Sequence, residues 1–102
     1  IQQKTQSERV RSIYVITDAG GVAKVGIAFH PDQRLHNLQS GNPQRRLSIA
    51  FARSGPRSMI QRAERHAHKI LAEFAIGQEW FRVPVQTAID AVNEAVAREL
   101  AT

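Results

Sequence analysis

No cysteine occurs in these 102 residues. Disulfides and thiolate metal sites are excluded, and the redox compartment stays open. Long apolar runs are missing as well. No segment reaches the roughly 20 residues needed to cross a bilayer, and no basic-then-apolar leader opens the chain. No membrane partner is expected, and an intracellular setting is only the default. A glycine-rich phosphate loop is absent too, because Gly20-Gly21 lacks the following Lys-Ser/Thr and helix. Four histidines invite a metal reading that their spacing defeats. His66 and His68 stand two apart on a helical stretch, about 200° around its axis, so they cannot share one ion. His30 and His36 have no spacing argument, and no Ser-His-Asp triad follows from spacing.

Acids are scarce where bases are dense. Residues 34–69 carry Arg34, Arg45, Arg46, Arg53, Arg57, Arg62, Arg65 and Lys69 against the single acid Glu64, a net charge of +7 within a chain of +5. Residues 70–102 carry two arginines against Glu73, Glu79, Asp90, Glu94 and Glu99, a net of −3. An arginine-dominated block suits phosphate, since guanidinium offers parallel donors and keeps its charge. A solvated basic face explains a mild excess but not this segregation by sign. A nucleic acid or other polyanion is the expected partner, with Arg45, Arg46, Arg53, Arg57, Arg65 and Lys69 as its contacts.

The length allows one modest core. Residues 1–11 are polar without an apolar period and read as a flexible leader or linker, leaving 12–102 as a single domain. The chain opens on Ile1 rather than Met, so a longer parent protein is expected around it. Ile13-Tyr14-Val15-Ile16 reads as a buried strand. Asp18-Ala19-Gly20-Gly21 is a turn, and Ala23 to Phe29 a second strand, so a hairpin sets Tyr14 near Lys24. His30-Pro31-Asp32 opens a helix with Leu35 and Leu38 inward, stopped by Ser40-Gly41-Asn42-Pro43.

Leu47 to Ala52 alternates as a third strand, followed by a loop at Ser54-Gly55-Pro56. Ser58 and Gln61 form a capping box for a helix running to Phe74, with Ile60, Ala63, Ala67, Ile70, Leu71 and Phe74 as its apolar stripe. Glu64 falls at the shoulder of that stripe, with His68 one turn on. Gln78 to Val83 is a short extended piece, and Pro84 to Leu100 a final helix. The expected architecture is α/β (α+β): a small three-stranded, mostly antiparallel sheet flanked by three helices, in the order ββαβα(β)α.

Four residue types suited to phosphodiester chemistry occur in order. Glu64, alone among bases, could hold a divalent cation or simply pair with Arg57 or Lys69. Tyr14 could activate water or pack as core. Lys24 could act on Tyr14, bind phosphate, or be an edge-strand lysine. Arg34 could clamp a phosphate or pair with Asp32 or Glu64. His68 could contact phosphate or support Glu64.

Together these pieces resemble the GIY-YIG nuclease superfamily, in its compact phage and bacterial branch. Ser12-Ile13-Tyr14 stands at the first tripeptide and Lys24-Val25-Gly26 at the second. Arg34 matches the arginine of the first helix, and Glu64 the glutamate of the later one. Leu38-Gln-Ser-Gly-Asn-Pro43, Glu64-x-x-x-His68 and Glu79-Trp80-Phe81 extend the likeness over about residues 12–96. The resemblance implies a metal-dependent DNA endonuclease with one Mg²⁺ or Mn²⁺ on Glu64, and double-stranded DNA is the expected substrate. Tyr14 would serve as general base or water-orienting group, assisted by Lys24, with Arg34 on the charged transition state. Ser12 replaces a glycine, Lys24 a tyrosine, and Leu38 a residue that is often histidine or tyrosine. Leu38 keeps a second expectation open, a catalytically weak or inactive nucleic-acid-binding module of the same fold. A protein-interaction domain using the acidic final helix is a third.

Overall fold

The structure is a computed structural model that describes residues 9–101. Of the expected leader at 1–11, residues 1–8 lie outside the described residues, while Val10 and Arg11 already belong to the first strand, β1 (Val10–Thr17), which opens two residues before the expected Ser12. Ile13 to Ile16 are all fully buried, as a β-branched run covered on both faces must be. The turn to β2 (Ala23–Ala28) is built by short polar side chains. Asp18 Oδ1 accepts the Gly20 N–H at 2.7 Å, and Thr17 Oγ1 accepts from Ala19 and donates to the Val22 carbonyl, both at 3.0 Å. Gly21 supplies a φ of 92°.

Helix α1 (Pro31–Ser40) has proline in its first turn, as its sequence requires. Strand β3 (Ser48–Pro56) runs four residues past the expected end at Ala52. Gly55 and Pro56 read as a loop, yet β3 lies at the edge of the sheet, where proline costs no ladder bond. Helix α2 (Arg57–Ile70) follows at once, so Ser58 lies inside its first turn. The expected capping box is not the cap, because Pro56 occupies that position and no side-chain cap bond forms. The helix also stops at Ile70 rather than Phe74. A 3₁₀ turn (Ala72–Phe74) redirects the chain, leaving Ile70 and Phe74 exposed while Ile60, Ala63, Ala67 and Leu71 are buried.

The expected three-stranded sheet is corrected to five strands. Short strands β4 (Ala75–Gly77) and β5 (Trp80–Phe81) extend it, in the order β3-β1-β2-β5-β4 with every pairing antiparallel. Helix α3 (Val85–Leu100) closes the chain. The class and the three helices stand as expected. Ile13, Val15, Ala23, Val25 and Phe81 form the sheet's share of the main core, packed against Ile60, Ala63 and Ala67 of α2 and Ala88, Val92 and Val96 of α3. Tyr14, Ile16 and Leu47 form a smaller second core on the other face, with Leu35 and Leu38 of α1 and Trp80 of β5. Alternation along β1 therefore divides it, odd residues toward α2 and α3, even residues toward α1.

Candidate active site

The β1–β2 register pairs Tyr14 with Gly26 and Ile16 with Lys24, so Tyr14, Lys24 and Gly26 share the α1 face of the sheet. Tyr14 is the chain's single tyrosine and is wholly buried. Its ring lies across Gly26. A Cβ there would meet the Tyr14 hydroxyl oxygen at 2.6 Å and Glu79 Oε1 at 2.9 Å. Glycine at 26 is thus required by space, which gives a physical reason for the third position of Lys24-Val25-Gly26.

The Tyr14 hydroxyl is sealed from solvent and completes no hydrogen bond within the described residues. The Arg34 guanidinium, from α1, lies beside it. Burial raises the Tyr14 pKa above its ordinary value, Arg34 opposes the rise, and the carboxylates of Glu79 and Glu64 add to it. An orphaned buried hydroxyl is costly and rare in a finished core, and here it is next to a cation and two anions.

Lys24 is nearly sealed, and its Nζ donates to Glu79 Oε1 at 2.8 Å. The same Nζ lies 5.7 Å from the centroid of the Trp80 ring. Strand β5 pairs with β2 only at Ala23 and Lys24. Beyond that point the edge of β2 is satisfied by other means: the Val25 N–H donates to the Glu79 carbonyl at 2.9 Å, and His68 Nε2 donates to the Val25 carbonyl at 2.8 Å. At this break α2 brings in Glu64, whose Oε2 is 3.9 Å from His68 Nε2. Burial raises the Glu64 pKa. His68 opposes the rise, Glu79 adds to it, and Lys24 and Arg65 oppose it.

Tyr14 is thus within reach of Arg34 and Glu64, and Glu64 within reach of His68 and Lys24, with Glu79 acting on Tyr14, Arg34, Lys24 and Glu64. His68 differs from the rest in character. With Nε2 spent on a backbone carbonyl and its ring tilted against Phe81, at 5.3 Å between centroids, it is a strut between α2 and β2. The residue that sequence reading left without a role is Glu79, which acts on Tyr14, Arg34, Glu64 and Lys24. Its signal was faint: an acid beside the single tryptophan, in a segment too short to show periodicity.

The expected nucleic-acid contacts are scattered. Arg45 and Arg46 flank a cavity of about 440 Å³ with Gln39, Pro43 and Gln44 on the α1 side, and Arg45 NH1 also pairs with Asp18 Oδ2 at 3.1 Å. Arg57, Arg65 and Lys69 are exposed on α2. Arg53 pairs in register with Ile13 and so points to the α2–α3 side, away from Tyr14.

A divalent ion finds a limited donor set here. Among the described residues no group of three or more His, Cys, Asp or Glu is arranged to hold a metal. Glu64 offers one carboxylate, while that of nearby Glu79 is engaged by Lys24. That set fits Mg²⁺ or Mn²⁺, which accept one or two protein carboxylates and complete the shell with water and phosphate oxygens, and does not fit a zinc cage.

Fold and site together define a small α+β domain with a mixed-charge site at the broken edge of its sheet. Residues 11–96 match the T5orf172 domain, and the chain belongs to that family. No curated protein and no solved structure matches it. No helix of the described residues is long and apolar enough to cross a membrane.

Proposed function

We propose that the chain is the catalytic domain of a metal-dependent DNA endonuclease of the GIY-YIG type, working with one divalent ion and within a longer parent protein. The observation that carries this reading is the gathering of Tyr14, Arg34, Lys24 and Glu64, from four different elements, around the Gly26 notch. Residues spread over fifty positions have no packing reason to leave a hydroxyl unpartnered between a guanidinium and carboxylates.

In this reading Arg34, permanently charged, takes a non-bridging oxygen of the scissile phosphate, a role for which its exposed fork is suited. Tyr14 keeps its proton at neutral pH, because burial raises its pKa, so it orients the attacking water, whose proton passes to bulk solvent. Lys24 contributes an ammonium on the same side. Glu64 holds the divalent ion, which when bound neutralises charge on the phosphate and the leaving oxygen. His68 keeps α2 docked on β2, so that Glu64 stays at the edge. Sequence recognition falls to other parts of the parent protein, since these groups address phosphate rather than bases.

Plasmid nicking in Mg²⁺ or Mn²⁺ tests the reading. The wild-type domain is expected to nick supercoiled DNA, and Glu64→Gln to lose that activity by at least about 10²-fold. Equal nicking by both proteins sinks the role given to Glu64. One observation favours a second reading, a binding module with little turnover: Leu38 packs in the same apolar cluster as Tyr14, giving the site a dry wall where relatives often carry a polar side chain. Salt-dependent DNA binding without metal-dependent nicking would select it.

A further inference from the structure

Glu79 sits on the turn between β4 and β5 with a φ of 65°. That is the left-handed region, which glycine, asparagine and aspartate tolerate and glutamate does not favour. Backbone strain of this kind persists where the surroundings over-determine it, and it gathers at functional sites. The surroundings here are specific. The Glu79 carbonyl accepts the Val25 N–H at 2.9 Å, tying the turn to β2. Its side chain crosses Gly26, where both Oε1 and the Tyr14 hydroxyl would collide with any added Cβ. Oε1 then accepts the Lys24 ammonium at 2.8 Å.

We propose that Glu79 is a positioning residue, seating the Lys24 ammonium at the broken edge of the sheet, within electrostatic reach of Glu64. The inference rests on the nuclease reading above and adds a residue to it. Lysine is a point charge on a flexible four-carbon stem, and a free one spreads over many rotamers. Held by Glu79 and lying by the Trp80 ring, Lys24 is fixed before substrate arrives. The pair also settles what Lys24 contributes. An ammonium donating to a carboxylate enters the site as a cation and a donor, not as the acceptor of a proton from water. Glu79 touches no substrate in this scheme and acts through Lys24 alone.

Substitutions separate this role from a structural one. Glu79→Gly removes the left-handed strain together with the carboxylate. It is expected to keep or raise the melting temperature while kcat for plasmid nicking falls on the order of 10²-fold and KM changes little. Glu79→Asp tolerates the backbone but brings its carboxylate one carbon short, and is expected to fall less steeply. Lys24→Met should lose a similar factor, and Lys24→Met with Glu79→Gly should nick no more slowly than Lys24→Met alone.

Additive losses in that double variant, or wild-type nicking by Glu79→Gly, overturn the proposal. A wild-type domain inert in both metals defeats the nuclease reading instead. The seat itself is then judged by the single tyrosine and single tryptophan, each an unambiguous spectroscopic probe. In Glu79→Gln the Tyr14 phenol should titrate at lower pH and the Trp80 emission should change. If neither moves, Glu79 does not hold this arrangement.

Discussion

At the scale of single residues, Glu64, the proposed metal ligand, carries a stability cost. Burial raises its pKa, with Glu79 adding to the rise. A carboxyl raised in the folded state binds its proton more tightly there than in the unfolded chain. Its favourable contribution is therefore complete below the ordinary glutamate pKa and is lost as pH climbs through the folded value. Once pH has passed that value, the charged and partly buried carboxylate strains the fold. Glu64→Gln is thus expected to raise the melting temperature at pH 7 by roughly 1–4 °C, with the gain vanishing near pH 4. Thermal melts at the two pH values check this. Added Mg²⁺ should raise the melting temperature of the wild type but not of the variant, since only a folded carboxylate site links ion binding to stability. The residue scale is also where reading from sequence went furthest. Tyr14, Lys24, Arg34 and Glu64 could each be proposed from type and spacing. Glu79 could not, because its importance depends on a left-handed backbone that no glutamate announces.

At the scale of elements, legibility followed length. Strand β1, helix α1 and helix α3 announce themselves through a β-branched run, a proline start and an apolar period. Strands β4 and β5 hold three and two residues, too few for any period, and exist because β2 offers them an edge. The extension of β3 through Gly55 and Pro56 was hidden by turn-forming residues that only an edge position tolerates. The end of α2 was hidden for a related reason: Phe74 continues the apolar spacing but belongs to a separate 3₁₀ turn. Where β5 stops short, His68 takes over the ladder's work by donating to the Val25 carbonyl. His68→Ala should leave that carbonyl unpaired and cost about 1–3 kcal/mol of unfolding free energy in denaturant titration. His68→Gln, which can still donate, should recover part of the stability and most of the nicking activity. Full loss of activity in a stably folded Gln variant would instead give the imidazole a chemical role.

At the scale of the whole molecule, the basic block that stands out along the sequence does not fold into one basic face. Arg62 is spent on Glu99 of α3 at 2.7 Å, and His66 Nε2 lies 3.2 Å from the same carboxylate, so part of the segregated charge is a clamp between α2 and α3. Arg53 points from β3 to the α2–α3 side, because register with Ile13 fixes its face. Arg46 stands exposed on the α1 side, beside Arg45 and the cavity over Gln39. A duplex approaching Tyr14 and Arg34 must come from that side, since α2 and α3 cover the other face of the sheet. Charge along the chain predicts equal value for the two arginines, and the fold predicts unequal value. Arg46→Gln should weaken DNA binding uniformly across sequences and lower the slope of log K against log salt by about 0.9, one phosphate contact. Arg53→Gln should leave both affinity and slope nearly unchanged. Fluorescence anisotropy with a labelled duplex at four or five salt concentrations measures both. Equal losses for the two variants would mean that DNA wraps the β3 edge, and the approach from the α1 side would have to be abandoned.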